Sequence, residues 1–187
     1  MVNERRRYPR DDALQVAERL RALLAPACER IEVAGSIRRN KPDVGDIELL
    51  CIPRYDLAVG FFGDRVRTDC LSSLILTLIT QDKLRYRLNS KGSSTFGPLN
   101  KLLIDVASGI PLDVFCTDAR NWGMALVVRT GPAEFNVRMM TRFRQQAMAG
   151  HAYAGVRAAN GEELDCPDEA TVFRLLGWQY APPEERT

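Results

Sequence analysis

The sequence is poor in the residues that build several common kinds of site. It has a single histidine, His151, which argues against a histidine-rich metal site. Its five cysteines are odd in number and lie mostly inside apolar runs, so we predict buried thiols without a disulfide framework or a zinc knuckle. No stretch approaches the roughly 18 apolar residues of a membrane helix, and no internal repeats occur. We therefore expect no association with a membrane.

Arginine is what the sequence has in quantity. The net charge of +2 is small for a nucleic-acid-binding protein, but only four of the 26 basic residues are lysines. The planar guanidinium of arginine suits phosphate better than an ammonium does, although a GC-rich genome would produce the same bias. The charged residues 1–7 precede a polar segment and do not form a secretion signal, so we expect a cytoplasmic protein.

Hydrophobic spacing predicts an α+β protein. A first helix should be capped by Asp11 and Asp12 and end before Pro26. Further helices are predicted over residues 66–79, 120–128, 133–149 and 168–176, and strands over residues 31–34, 45–52, 84–88, 102–106 and 112–116. The last two strands form a predicted hairpin. These elements indicate a mixed, largely antiparallel sheet with helices against it in residues 1–118, and a small α/β C-terminal lobe in residues 119–187.

Two acids alternate at the start of the second predicted strand. Asp46 and Glu48 are two residues apart, so their side chains project from the same face of the strand. Their neighbours are apolar, which indicates a central strand where two repelling acids are costly to bury without a cation. Carboxylate oxygens suit Mg²⁺ or Mn²⁺. The pair predicts a divalent metal site.

A third carboxylate would be needed for two-metal phosphoryl transfer, to help activate an attacking hydroxyl. Asp105 and Asp113 are the two candidates, one on each arm of the predicted hairpin. In residues 110–116 the apolar side chains alternate and share one face, which leaves Asp113 on the other. Strand phase therefore favours Asp113.

A glycine-serine turn precedes the metal-binding strand by ten residues. Gly35 and Ser36 offer backbone N–H groups and a hydroxyl, and Arg38 or Arg39 could neutralise an anion nearby. Taken alone, a turn of this kind or an Asp-x-Glu pair is usually structural. Their order along the chain favours a triphosphate cradle placed beside a metal site.

These motifs resemble the nucleotidyltransferase superfamily signature, in the form found in family X DNA polymerases related to polymerase beta. The resemblance covers about the whole chain, in its compact form of palm (residues 1–118) and C-terminal lobe (residues 119–187). The motifs that carry it are Tyr8-Pro9-Arg10, Gly35-Ser36-Ile37-Arg38-Arg39, Gly45-Asp46-Ile47-Glu48, Leu112-Asp113-Val114, Arg129-Thr130-Gly131-Pro132 with Phe135-Asn136, and the terminal segment 177–186.

The resemblance implies a role for each matching residue. Asp46 and Glu48 would bridge two Mg²⁺ or Mn²⁺ ions, and Asp113 would bind the catalytic ion and orient the primer 3′-hydroxyl. The substrate would be a dNTP, or alternatively an rNTP. The nucleoside triphosphate would contact Gly35, Ser36, Arg39, Arg10, Thr130, Gly131 and Asn136. DNA contacts would come from Lys91 and Arg129. Arg138 and Arg142 could either follow a DNA backbone or form a solvated helix face.

The sequence also departs from the family pattern. Glu48 stands where aspartate is commoner, and Val128-Arg129 stands where the family places aromatic residues that exclude a ribose 2′-hydroxyl. The first helix begins almost at the N-terminus, so we expect no deoxyribose-phosphate lyase activity. We expect a monomeric DNA polymerase that acts on primer-template or gapped DNA in short-gap repair. The alternatives are a template-independent, RNA, protein or small-molecule nucleotidyltransferase, and a non-catalytic DNA-end binding module.

Overall fold

The computed structural model describes residues 6–59, 65–89 and 91–186. The helices are α1 (Arg10–Leu24), α2 (Gly35–Arg38), α3 (Cys70–Thr80), α4 (Trp122–Thr130), α5 (Ala133–Gln145) and α6 (Glu169–Leu176), with 3-10 turns at Ala25–Ala27 and Pro183–Glu185. The strands are β1 (Tyr8–Pro9), β2 (Cys28–Val33), β3 (Asp43–Val44), β4 (Ile47–Pro53), β5 (Tyr55–Val59), β6 (Arg65–Asp69), β7 (Leu84–Tyr86), β8 (Asn100–Asp105), β9 (Pro111–Cys116), β10 (Ala149–His151), β11 (Gly155–Arg157) and β12 (Glu163–Leu164).

A five-stranded mixed sheet forms the centre of the first part of the chain. Its strand order is β2-β4-β9-β8-β7, and only the pairing between β4 and β9 is parallel. The predicted hairpin is confirmed, because β8 and β9 pair as antiparallel neighbours. Strand β4 is almost wholly buried, as its apolar sequence predicts. The α+β class with a mixed, largely antiparallel sheet is therefore confirmed.

The two faces of this sheet are covered by different elements. One face presents Ile47, Leu49 and Cys51 of β4 to a core that includes residues of α1 and α3. The opposite face presents Leu50 and Ile52, which pack with Phe115 of β9 and with Trp122, Ala125 and Leu126 of α4. Since Glu48 has the same strand phase as Leu50, it lies on the face that α4 partly covers.

The C-terminal part has a core of its own. Residues of α4, α5 and α6 enclose it with the small sheet β10-β11-β12, around side chains such as Phe135, Phe143 and Val172. The division into residues 1–118 and 119–187 stays a prediction. Within the described ranges, no helix combines the length and the hydropathy that a bilayer span requires.

Several predicted boundaries were wrong. The helix predicted over residues 66–79 begins only at Cys70, because residues 65–69 form β6 and pair with β5. Its N-cap is Asp69, which accepts a hydrogen bond from the backbone N–H of Ser72. Helix α1 begins at Arg10, so Asp11 and Asp12 lie in its first turn instead of capping it. Helix α5 ends at Gln145, four residues early, since the chain turns into β10.

Candidate active site

The sheet register brings two of the predicted metal ligands side by side. Glu48 of β4 pairs directly with Asp113 of β9, and paired residues of neighbouring strands project from the same face. Asp46 immediately precedes β4, two residues before Glu48. The strand phase that favours Asp113 over Asp105 agrees with the structure. Asp105 lies on the opposite face, where Oδ2 accepts hydrogen bonds from Arg19 of α1 and from Ser108.

The three acids are near enough to disturb one another electrostatically. Burial, followed by the charges of Asp46 and Asp113, raises the pKa of Glu48 to about 8. Arg129 and Arg39 act in the opposite direction but do not outweigh these effects. Glu48 is therefore mostly protonated at neutral pH when no cation is bound.

Arg87 is the nearest cationic partner of Asp113. Its Nη2 donates to Oδ2 of Asp113 at 3.1 Å, and its Nη1 lies 2.8 Å from Oδ1. Burial raises the pKa of Asp113, and Arg87 offsets only part of that increase. Asp46, Arg87 and Asp113 line one cavity of about 550 Å³, together with residues of β1 and the segment after β7. Sequence reasoning missed Arg87, because a single arginine just after the edge strand β7 carries no motif.

The chemistry of these donors fits a divalent cation. Among residues 6–59, 65–89 and 91–186, no three His, Cys, Asp or Glu side chains converge as a group that could hold a metal ion. Asp113 is instead engaged by Arg87. Burial, and then the charges of Asp46 and Asp113, favour a proton on Glu48, and a bound cation would offset both effects. The residues fit a metal chemically, although Asp113 would have to exchange its partner.

The glycine-serine turn packs directly against Glu48. Gly35 begins α2 with a φ of +64°, and a Cβ built there would lie 2.8 Å from Cδ of Glu48. Glycine is required for both reasons, since an L side chain would be strained and would displace the carboxylate. The backbone N–H of Ala34 donates to the carbonyl of Glu48 at 2.9 Å. Gly35 and Ser36 thus lie beside the acids, as the sequence predicts.

Arg39 connects this turn to the second predicted nucleotide-binding turn. Its Nη1 donates to the backbone carbonyl of Thr130, and a Cβ at Gly131 would lie 3.2 Å from the same nitrogen. Gly131 has a φ of +65° and ends α4. Burial lowers the pKa of Arg39, against the pull of Glu48 and Glu134. The two turns therefore meet through one guanidinium.

The remaining predicted nucleotide contacts have structural partners. Arg10 donates to the side chain of Asn40 at 2.7 Å and to the carbonyl of Ile37 at 3.3 Å, which holds it beside α2. Asn136 donates from Nδ2 to the carbonyl of Val128, and its buried Oδ1 has no hydrogen-bond partner among the described residues. Thr130 is fully buried, its hydroxyl accepts from Arg38 and its carbonyl accepts from Arg39, so it exposes no group to a nucleotide in this structure.

The predicted DNA contacts fall in different places. Lys91 is exposed in the segment between β7 and β8. Arg129 stacks its guanidinium on Phe115 of β9, 3.6 Å from the ring centroid, and lies 4.8 Å from the ring of Tyr153. Arg138 is exposed on α5. Arg142 instead donates from Nε to the carbonyl of Leu176 at the end of α6, which makes it in part a structural residue.

A buried ionic cluster, also missed from the sequence, joins α2 to the C-terminal segment. Glu169 accepts two hydrogen bonds from Arg38, both at 2.8 Å, and one from Arg186 at 2.9 Å. The hydroxyl of Tyr180 donates to it at 3.3 Å. Burial would raise the pKa of Glu169, but the two guanidiniums outweigh burial and hold that pKa below its usual value. Arg38 is therefore engaged in this ionic cluster. Of the two arginines, Arg39 is the one that lies between the two glycine turns.

The fold and the arrangement of these residues define a protein similar to the polymerase beta-like nucleotidyltransferases. A family model described as DNA polymerase beta thumb matches residues 125–187. DNA polymerase lambda of Rattus norvegicus is 28% identical to this chain in an alignment 199 residues long, gaps included. That alignment covers 96% of this chain. These two matches confirm the resemblance to family X DNA polymerases.

The matches cover the chain unequally. The thumb match lies in the C-terminal part and does not include the acids, whereas the similarity to the lambda polymerase extends over nearly the whole chain. The aligned region is only 33% of that relative, so the chain spans about a third of its length.

Proposed function

We propose that this chain is a metal-dependent nucleotidyltransferase that adds nucleotides to a DNA primer 3′-hydroxyl, with release of pyrophosphate, on gapped or primer-template DNA. The observation that carries the proposal is the pairing of Glu48 with Asp113 across β4 and β9, beside Asp46. The polymerase beta thumb match and the similarity to DNA polymerase lambda support DNA as the substrate class. Short-gap repair is the cellular role that these similarities favour.

The acids would act as ligands and as an orienting group. Asp46 and Glu48 would hold two Mg²⁺ or Mn²⁺ ions, and Asp113 would hold one of them and orient the primer hydroxyl. When bound, such ions polarise a phosphoryl oxygen and lower the pKa of an attacking hydroxyl. For Glu48 to serve as a ligand it must lose the proton that its raised pKa retains, and Asp113 must release Arg87.

The basic residues would bind the triphosphate. Gly35 and Ser36 present backbone N–H groups at the start of α2, immediately beside Glu48. Arg39 lies between this turn and Gly131, so an anion bound there would contact both turns through one guanidinium. The unpaired Oδ1 of Asn136 is an acceptor for an N–H or O–H of the nucleotide. These groups would place the α-phosphate near the acids.

A primer-extension assay tests this function. We would incubate the protein with a one-nucleotide gapped duplex, and separately with a single strand, using each dNTP and rNTP with Mg²⁺ or Mn²⁺. We expect template-directed extension of the gapped duplex. Asp46→Asn and Asp113→Asn should each reduce the rate by at least about 10³-fold, because each removes an anionic ligand.

Glu162→Gln is the matched control, since Glu162 is an exposed acid in the turn between β11 and β12. It should extend the primer at the wild-type rate. Extension of the single strand with no preference for the templated base would favour a template-independent transferase. DNA binding without any transfer, in every nucleotide and metal combination, would contradict the proposed catalysis and favour an end-binding module.

A further inference from the structure

A two-stranded ribbon, formed by β5 and β6, follows the carboxyl end of β4. The two strands pair with each other over five positions, from Tyr55 opposite Asp69 to Val59 opposite Arg65, and neither belongs to the five-stranded sheet. Among the side chains that the structure describes, none from these two strands contributes to a hydrophobic core. The packing of the fold therefore does not explain the ribbon.

Apolar side chains of the ribbon are exposed to solvent. Leu57 is 68% exposed, Val66 43% and Tyr55 38%. A ribbon of two strands is at best marginally stable in water unless one of its faces is packed. Leu57 and Tyr55 lie on the same face, because they are two residues apart in β5. Grouped apolar exposure of this kind marks a contact surface.

The same face of the ribbon is basic. Arg67 pairs directly with Leu57, and Arg65 lies two residues before it in β6, so both arginines share the face of Leu57 and Tyr55. The guanidinium of Arg67 lies 3.7 Å from the ring centroid of Tyr55, and this stacking orients it. Both arginines are exposed, and neither forms a hydrogen bond or an ion pair with another residue that the structure describes.

The acids of the ribbon are engaged elsewhere. Asp56 belongs to the opposite face, where its Oδ1 lies 3.7 Å from Nε of Arg54. Asp69 caps α3, since its carboxylate accepts hydrogen bonds from the backbone N–H and the hydroxyl of Ser72. Asp64 lies outside the described residues. Within the described part of the ribbon, the two arginines of the basic face therefore have no acid partner.

We propose that the basic face of the β5–β6 ribbon binds the phosphate backbone of duplex DNA. Paired N–H donors of a guanidinium match phosphate oxygens, and the major groove of a duplex is wide enough to admit a two-stranded ribbon. The exposed Leu57 and Tyr55 would pack against the DNA beside these contacts. The inference rests on the proposed use of DNA as the substrate.

The ribbon would hold the duplex at a distance from the acids. Glu48 and Pro53 are five residues apart in β4, which corresponds to about 17 Å. The ribbon begins beyond Pro53, and a duplex rises about 3.4 Å per base pair. We therefore expect the contact at about five or more nucleotides from the primer terminus, on DNA that the acids and the glycine turns do not reach.

The test measures DNA binding separately from catalysis. Fluorescence anisotropy of the full 187-residue protein with a labelled gapped duplex, at several salt concentrations and without metal, gives the affinity and its salt dependence. Arg65→Ala/Arg67→Ala should weaken binding by about tenfold, because two phosphate contacts are lost. The slope of log K against log salt should decrease in magnitude by about two. With saturating DNA, the variant should extend the primer at the wild-type rate.

Arg21→Ala/Lys83→Ala is the matched control, since it also removes two positive charges. Arg21 lies on α1 and Lys83 follows α3, the two helices that cover the face of the sheet opposite the acids. This variant should bind the duplex as the wild type does. Circular dichroism verifies that both variants are folded.

Phosphate ethylation interference locates the contacts on the DNA. We expect sites about five or more nucleotides from the primer terminus that disappear in Arg65→Ala/Arg67→Ala. Wild-type affinity and salt dependence in this variant would overturn the inference, as would interference confined to the phosphates next to the gap. A loss of affinity for single-stranded DNA alone would contradict the assignment to a duplex.

The outcomes separate this inference from the proposed function. A wild type that binds the duplex through the ribbon but transfers no nucleotide would contradict only the proposed catalysis. Nucleotide transfer together with unchanged binding by the ribbon variant would contradict only the ribbon contact. Unchanged DNA affinity with self-association of the variant would instead assign Arg65 and Arg67 to the protection of open strand edges.

Discussion

Two glutamates, Glu169 buried and Glu48 partly buried, differ in their charge. Glu169, 7% exposed, is surrounded by Arg38 and Arg186, and these guanidiniums hold its pKa below the usual value. Glu48 has Asp46 and Asp113 as neighbours, and burial together with these acids raises its pKa to about 8. Burial acts in the same direction on both carboxyl groups. The neighbouring charges therefore decide which glutamate is ionised.

The difference separates a glutamate whose charge is compensated within the chain from one whose neighbours are mainly other acids. The negative charge of Glu169 is already compensated by Arg38 and Arg186, so Glu169 stabilises the fold and does not need a bound cation. The charge that Glu48 would carry is not compensated, and its proton takes the place of a cation. This contrast supports the assignment of the metal to Glu48, Asp46 and Asp113, and it can be tested from both sides.

The largest expected effect follows from the removal of Glu169. Glu169→Ala would leave two guanidiniums without their acid, and Arg186 is almost wholly buried. Breaking a buried ion pair in this way costs about 3 to 5 kcal/mol in the free energy of unfolding. Urea denaturation measures it. Glu163→Gln is the control, because the exposed pair of Glu163 with Arg157 contributes less than about 1 kcal/mol. Equal losses in both variants would remove the contrast.

The second expected effect is a dependence of stability on pH that comes from Glu48. Its folded pKa of about 8 exceeds the usual value of 4.5, so the folded state binds the proton more tightly than the unfolded state. Without metal, this contribution is complete below about pH 4.5 and is lost as the pH rises through about 8. We expect a loss of about 4 kcal/mol over that range.

Glu48→Gln isolates this contribution, because glutamine retains the size of the side chain and does not ionise. Urea denaturation of the wild type and the variant from pH 5 to pH 9, in the presence of a chelator, measures the difference. The variant should become the more stable protein at the alkaline end. Parallel curves of stability against pH for the two proteins would show that Glu48 ionises normally and would contradict the raised pKa of its carboxyl group.

Sequence reasoning predicted the acids and failed on their counter-ions, for a physical reason. Glu48 and Asp113 lie on strands, where alternation alone determines which side chains share a face, and Asp46 immediately precedes β4. Gly35 belongs to a short motif that can be identified from the residues around it. The pairing of Arg87 with Asp113 spans 26 positions and that of Arg38 with Glu169 spans 131. Such contacts depend on how strands and lobes pack, and no local pattern specifies them.

The third prediction connects the raised pKa of Glu48 to metal binding. If Mn²⁺ binds the three acids, it must displace the proton from Glu48 at neutral pH. Calorimetric titration at pH 7 in buffers of different ionisation enthalpy should show the release of nearly one proton per ion. The affinity should increase up to about tenfold per pH unit below pH 8. In Glu48→Gln the proton release should disappear, and a wild-type enthalpy that is the same in every buffer would contradict the assignment.

The smallest expected effect concerns Arg87, which competes with a cation for Asp113. Its guanidinium is 28% exposed, so solvent weakens the pair and its loss should change little in stability. Because Arg87→Gln removes a positive charge next to the proposed metal ligands, Mn²⁺ should bind about three- to tenfold more tightly. Arg85→Gln is the matched control, since Arg85 is an exposed arginine of β7, two residues before Arg87, and the affinity of this variant should equal that of the wild type. Weaker binding by Arg87→Gln would contradict competition, and would mean that Arg87 positions Asp113 for the metal.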